Sequence, residues 1–460
     1  MDTNGDCDSH LPLTSLCPSS PSPSSEGEMR ECLENRTNGL VSSLPCLITL
    51  TTILTILMLY APSPIPFNIN AITRKKIHHR IDDEFTAKEE SRRRTNIHPR
   101  SQKGNANDCD LFKGKWVFHQ EFTPLYTNSS CHSIPVSKNC FMNGRKDEEF
   151  LQWRWEPEKC ELPRFETKTF FSIVSGKKMA FIGDSVARNQ MESLLCLLSQ
   201  EEAPLDLYKD AKDRFRTWYF PRHNFTIMVL WTKFLVASEE RGINGYPTGI
   251  FDLHLDKVDE NWALKLPSQL DYAILSDSQW FFRKNYLYQR GQMIGCIYCK
   301  NESNVKHLDV GFAIGRALRL ALTYINNCEE CNRLLTLVRT ISPSHFENGS
   351  WKTGGSCNKT SPFQGESGEE EGVAAAGDGE WAVRAVQMEE IGRARRRGEG
   401  RGRRFEVLDI TRAMMMRPDG HPGIHWRNKK QKKGCNDCVH WCLPGPIDTW
   451  NDLLLAILRK

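Results

Sequence analysis

A serine, a histidine and an aspartate stand in this chain where nucleophilic acyl chemistry would use them. Gly183-Asp184-Ser185 follows the apolar run Met179-Ala-Phe-Ile182 and precedes a segment of helical spacing from about Ala187 to Leu198. A serine at such a strand-to-helix turn presents its hydroxyl at the carboxyl edge of a sheet. Its own N–H and the helix N-terminus then face a developing oxyanion. Asp184 or Ser185 could equally serve as a helix cap. Near the carboxyl terminus, Asp437-Cys438-Val439-His440 supplies both a base and a carboxylate to orient it. A spacing of three in a tight turn sets the carboxylate against Nδ1 and leaves Nε2 for the serine. His345, His421 and His425 compete for the base role, but none has an acid three residues before it. Ser185, Asp437 and His440 are therefore the candidate catalytic residues, and their chemistry requires no metal. Gly183 and Asp184, with Arg188 and Asn189 one helical turn on, are candidates to line the site or to tie the helix to a neighbour.

These groups need a sheet to hold them. Phe225–Leu230, Tyr272–Leu275 and Leu334–Arg339 read as further strands, and Val310–Ile325 has the spacing of a helix. Strands separated by helices predict an α/β domain built on a mainly parallel sheet. The folded domain is expected over 108–460. Residues 1–43 read as a disordered cytosolic tail rich in Ser, Pro, Asn and acidic side chains, 44–61 as a transmembrane signal anchor, and 62–107 as a polar stem. A stretch at about 365–404, almost wholly Arg, Gly and Glu at its end, reads as a solvated loop with a short helix around Val383–Arg393.

Net charge is +4, from 61 basic and 57 acidic residues, which gives no whole-protein field for nucleic acid. Thirteen of the 17 cysteines lie from Cys109 onward, beside five sequons at Asn128, Asn224, Asn301, Asn348 and Asn358. Together they point to an oxidising, glycosylating lumen. The basic cluster Arg74, Lys75, Lys76 and Arg80 just after the apolar segment points the other way, toward a cytosolic domain. The cysteines and sequons outweigh it because they are many and independent. Cys296-x-x-Cys299 and Cys328-x-x-Cys331 could form a zinc site or, in an oxidising lumen, disulfides. Twelve tryptophans invite a sugar-stacking role, although most aromatics serve the core; Trp153 and Trp155, two apart, would share one strand face.

A serine followed by a distal Asp-x-x-His resembles the SGNH/GDSL hydrolase-like arrangement. The likeness extends to whole blocks: Cys109-Asp-Leu-Phe-Lys-Gly-Lys-Trp116, Tyr126 to Cys131, Cys140 to Arg145, Trp153-Arg-Trp155 and Gly183 to Gln190. Ser342 to Gly349, Val407 to Arg412, Arg417 to Pro422 and Asp437 to Pro446 continue it. In this order they resemble the plant trichome-birefringence-like family, and within it the xyloglucan O-acetyltransferase branch. Ser278, in Ser276-Asp-Ser-Gln-Trp280, replaces a glycine usual in that family, which puts a second oxyanion donor in question.

The resemblance implies a single-pass type II Golgi membrane protein whose luminal domain has an SGNH/GDSL hydrolase-like parallel sheet with flanking helices, braced by disulfides. It implies acetylation of a hemicellulose, xyloglucan side-chain galactose first; double displacement on the serine then requires an acetyl donor, which neither the residues nor the resemblance identifies, acetyl-CoA being one candidate, and no bound cofactor. A xylan acceptor, a polysaccharide acetylesterase and a non-catalytic wall-polysaccharide binder are the alternatives. Block order and resemblance also imply the pairings Cys109–Cys160, Cys131–Cys196, Cys140–Cys442 and Cys357–Cys438.

Overall fold

The computed structural model describes residues 109–266, 270–351, 353–364, 378–426 and 436–460. The expected tail, anchor and stem lie outside the described residues, as does Cys435. Among the described residues, no helix is long and apolar enough to cross a membrane.

The chain runs through β1 (Gly114–Phe118), β2 (Trp153–Pro157), α1 (Thr167–Val174), β3 (Lys178–Gly183) and α2 (Ser185–Ser199). Strands β4 (Leu205–Lys209), β5 (Phe215–Phe220), β6 (Phe225–Trp231), β7 (Val236–Ile243) and β8 (Tyr246–Val258) follow, then α3 (Glu260–Ala263). Next come β9 (Tyr272–Ser276), β10 (Asn285–Gln289), β11 (Gln292–Ile297), α4 (Val310–Asn326) and β12 (Leu335–Arg339). The remainder is β13 (Glu347–Ser350), β14 (Gly354–Ser356), α5 (Asp378–Gly398), β15 (Arg404–Leu408), α6 (Thr411–Met415) and α7 (Asp448–Leu458).

The main sheet has seven strands in the order β15-β12-β9-β3-β6-β5-β4. The five from β15 to β6 are parallel, and β5 and β4 close one edge antiparallel. Strand β3 sits in the middle and is buried on both faces, which is why it reads as an unbroken apolar run. Its side chains alternate between two core halves. Met179 and Phe181 pack with Met191, Leu194 and Leu195 of α2 and Leu454 of α7, whereas Ala180 and Ile182 pack with Ala317 and Leu318 of α4. A second sheet, β11-β10-β8-β7, packs its apolar face into the α4 half of this core through Phe251, Leu253, Leu287 and Ile297.

Helix α5 corrects one expectation. The short helix expected around Val383–Arg393 is present and runs over 378–398, but it is packed rather than solvated, because Val383, Ile391 and Ala394 make a narrow apolar stripe buried in the α4 side of the core. The charged composition conceals that stripe, since several charges are paired. Glu390 binds Arg319 at 2.5 Å, and Arg384 binds the buried carboxylate of Asp409.

The amino-terminal block clamps the carboxyl-terminal segment. Trp116 pairs with Trp155 across β1 and β2, and its indole N–H donates to the Ala413 carbonyl at 2.7 Å. Arg145 donates to the Asp419 carbonyl at 2.7 Å, and Tyr126 donates to Asp448 at 2.8 Å. The structure forms the four implied disulfides, Cys109–Cys160, Cys131–Cys196, Cys140–Cys442 and Cys357–Cys438. The last two tie residues 302 and 81 apart in sequence. Cys296–Cys299 and Cys328–Cys331 each close on themselves, so those four sulfurs are bonded to one another in pairs.

Candidate active site

Strand β3 ends at Gly183 with φ +153°, and a Cβ there would lie 1.7 Å from the Ser276 carbonyl oxygen on β9. Only glycine permits this approach. The chain then turns, and Asp184 caps α2 by accepting from the Val186 N–H at 2.9 Å. Ser185 is the first helical residue, so its N–H has no intrahelical acceptor and the positive end of the helix dipole lies beside its hydroxyl.

The second half of the site comes from the segment before α7. Asn189, one turn into α2, grips Trp441 at both main-chain groups: its carbonyl oxygen accepts from the Trp441 N–H at 2.8 Å and its amide donates to the Trp441 carbonyl at 3.3 Å. The Cys357–Cys438 and Cys140–Cys442 bonds fix the same loop on either side of His440. The result is a continuous chain. His440 Nε2 lies 2.8 Å from Ser185 Oγ, and Nδ1 lies 2.8 Å from Asp437 Oδ2. Asp437 Oδ1 accepts from the N–H groups of Val439 and His440 at 3.0 and 2.9 Å. A carboxylate only accepts, so Nδ1 carries the hydrogen and Nε2 is free to take one from the serine.

Burial alone would raise the Asp437 carboxyl, but the adjacent His440 and these N–H donors hold it well below the usual carboxylate range. It is therefore ionised wherever the site operates. All three side chains are nearly buried.

Two of the sequence candidates do something else. Arg188 points to Asp213, with an ion pair at 3.7 Å, and Asn189 is occupied with Trp441. Both tie α2 to its neighbours and neither lines the cleft, because a side chain one turn along the helix faces the packed interior there. Asp184 likewise acts as the cap. Of the rival histidines, His345 and His421 lie behind His440 and hydrogen-bond to each other.

Ser185, Asp437 and His440 open onto a cleft of about 620 Å³ also lined by Gln279, Trp280, Arg283, Phe346, Trp351 and Trp426. Sequence reasoning did not select these aromatics. Trp153 and Trp155 instead belong to the β1–β2 block, with Trp155 in the core against Trp116 at 5.7 Å. Trp280 stands next to the atypical Ser278, and that proximity was the available signal. Ser278 itself is buried two residues beyond β9. Its hydroxyl accepts from Gln387 of α5 at 3.2 Å.

A parallel sheet carrying a serine at the end of its central strand, with a distal Asp-x-x-His returning to it, defines an SGNH-like acyl-esterase domain. The chain belongs to the GDSL/SGNH-like acyl-esterase family found in Pmr5 and Cas1p: the model of that family matches residues 162–457, and the PMR5 N-terminal domain matches 107–161. Among its relatives, xyloglucan O-acetyltransferase 4 of Populus trichocarpa is 55% identical over 414 residues, covering 90% of this chain and 91% of the relative. Xyloglucan O-acetyltransferase 3 of the same plant is 61% identical, over 76% of this chain and 86% of its own length. Xyloglucan O-acetyltransferase 2 of Arabidopsis thaliana is 53% identical, over 77% and 83% respectively.

Proposed function

We propose that this protein is a xyloglucan O-acetyltransferase that works by double displacement on Ser185. The observation that carries the mechanism is the unbroken Ser185–His440–Asp437 hydrogen-bond chain opening into an aromatic-lined cleft. His440 Nε2 removes the Ser185 proton as Oγ attacks the acetyl carbonyl of the donor. The developing oxyanion meets the Ser185 N–H at the start of α2. The donor's leaving group takes the proton from His440 and departs, leaving acetyl-Ser185. A sugar hydroxyl then enters, gives its proton to His440 and attacks the acetyl carbonyl, and the serine is regenerated as acetyl passes to the sugar. The acceptor hydroxyl is that of a xyloglucan side-chain galactose, and acetyl-CoA is the first donor to test.

The cleft suits a sugar. The Arg283 guanidinium lies 4.1 Å from the Trp280 ring centroid and 4.3 Å from that of Trp351, so the two indoles and the cation form one stiff wall. Apolar sugar faces stack on such rings while hydroxyls reach polar groups such as Gln279. Incubating the protein with acetyl donor and xyloglucan oligosaccharide should give acetylated oligosaccharide in excess of free acetate. Free acetate alone, unaffected by the oligosaccharide, would instead make it an esterase. Trp351→Ala should raise KM for the oligosaccharide roughly tenfold, about 1.4 kcal/mol, with little change in kcat. An unchanged KM would remove the indole from the acceptor site.

The working place is the Golgi lumen, with the chain held as a single-pass type II membrane protein. Six disulfides and the exposure of all five sequon asparagines, Asn128, Asn224, Asn301, Asn348 and Asn358, support this reading. Glycosidase treatment should shift the mobility of the expressed protein, and sealed microsomes should protect residues 108–460 from protease. A domain digested in intact vesicles and lacking a glycan shift would place it in the cytosol.

A further inference from the structure

Two histidines that the transfer chemistry leaves unused lie directly behind the triad. His345 follows β12, His421 follows the turn Pro418–Gly420, and both are buried. Nδ1 of His345 lies 2.8 Å from Nε2 of His421. At the outer ends, His345 Nε2 lies 3.0 Å from the Met415 carbonyl oxygen, and His421 Nδ1 lies 2.7 Å from the carbonyl oxygen of His440 itself. His421 also stacks on Trp441, with ring centroids 4.1 Å apart and planes at 30°.

The hydrogens can be counted. A carbonyl oxygen only accepts, so each outer nitrogen has to carry a hydrogen. A neutral imidazole has only one N–H. With both rings neutral, those two hydrogens sit on the outer nitrogens, and two lone pairs face each other across 2.8 Å. Completing the chain takes a third hydrogen between the rings. We propose that His345 and His421 share this proton as a buried imidazole–imidazolium pair, which holds the His440 main chain and sets a positive charge behind the triad. Both are then positioning residues for acetyl transfer.

Burial opposes the extra charge and pushes the imidazoles down, His345 to about 4 and His421 to about 3. Three groups offset part of that burial cost. The Met415 and His440 carbonyls both point their negative ends at the pair, and the ionised Asp437 attracts it. The other groups facing it are His440, Arg145 and Glu380. Arg145 donates to the His421 carbonyl at 3.3 Å and is itself paired with Asp147. Glu380 of α5 accepts from Ser344, next to His345, and burial raises it to about 8, so it adds little negative charge at neutral pH. A positive charge at His421 disfavours protonation of His440, which keeps the base in its working form toward lower pH.

The role in catalysis rests on the acyl-transfer reading, whereas the proton count does not. The purified full chain, labelled with ¹⁵N at histidine, should show three protonated nitrogens among the four of His345 and His421 at pH 7, with one strongly deshielded proton coupled to both rings. Two protonated nitrogens, one per ring, would overturn the proposal whatever the enzyme's activity. His345→Phe leaves a neutral His421 that still donates to the His440 carbonyl but carries no charge. The acidic limb of kcat/KM for acetyl transfer should then move to higher pH by roughly one unit. A purely structural role would lower kcat and leave that limb in place, which would equally overturn it.

Discussion

Ser185→Ala and His440→Ala are each expected to lower kcat for acetyl transfer by on the order of ten-thousandfold or more, with the protein still folded. The serine supplies the oxygen that is to carry the acetyl group, and His440 Nε2, at 2.8 Å, is the base placed to activate it. Without either partner the other has nothing to act on, so the losses are not additive. The Ser185→Ala/His440→Ala double variant should be no slower than either single one. The folded state should survive Ser185→Ala because the substitution removes one hydroxyl and one hydrogen bond, a loss of about 1 kcal/mol. Helix α2 keeps the Asp184 cap. Single-turnover assays alongside thermal unfolding separate the two effects. Full activity in a well-folded Ser185→Ala protein would eliminate acetyl-Ser185 as an intermediate.

Asp437→Asn should cost about as much, for a reason that the geometry makes specific. Asp437 Oδ1 is held by two main-chain N–H groups, from Val439 and His440. An asparagine would keep its carbonyl oxygen there, which puts its NH₂ at the position of Oδ2, opposite His440 Nδ1. Donor would then face donor unless the imidazole changes tautomer. With the hydrogen moved to Nε2, His440 can no longer accept the Ser185 proton, and a loss of roughly ten-thousandfold in kcat follows.

Stability should move as well. The Asp437 carboxyl titrates lower folded than unfolded. Its charge therefore contributes stability that is fully present above the unfolded pKa of about 4 and fades as pH falls toward the folded value. The variant should be less stable than the parent at pH 7 and should lose less on acidification. Denaturant unfolding at several pH values measures this. Parallel curves for the two proteins would mean that folding leaves the Asp437 carboxyl unshifted.

A second cavity, lined by Trp153 and Arg154 of β2 and by Asp448 and Asp452 of α7, illustrates how buried carboxyls are handled elsewhere in the protein. Asp452 accepts from the Phe165 N–H, and burial raises its carboxyl to about 7. Asp448 is raised by burial to about 6 while accepting from Tyr126 and Ser193. These carboxyls fasten α7 to the amino-terminal block and to α2.

The sequence by itself determined the central strand, its turn and the two ends of the catalytic chain. Met179–Ile182 is apolar without interruption because β3 is buried on both faces, and Gly183 stands where a Cβ would strike β9. Asp437 and His440 are three residues apart, so their contact is local and could be read directly. Tertiary structure alone decided what approaches from far along the chain. The wall of Trp280, Arg283 and Trp351 is assembled from two separate loops, and none of those residues carries a local pattern that marks it. Strand β8, in which Phe251, Leu253 and Leu255 alternate with polar neighbours, was not read from the sequence, and neither was the separate sheet it joins. The short helix expected around Val383–Arg393 was legible, but the burial of α5 was not, because its stripe is thin and its charges find partners only after folding, as Glu390 does with Arg319 and Arg384 with Asp409. Composition treats such charges as solvated, and only the fold supplies the opposite charge that lets them be buried. Asn189 shows the same limit at the site. Its spacing from Ser185 was legible, but its double hold on Trp441 depends on a segment 252 residues away being brought alongside α2.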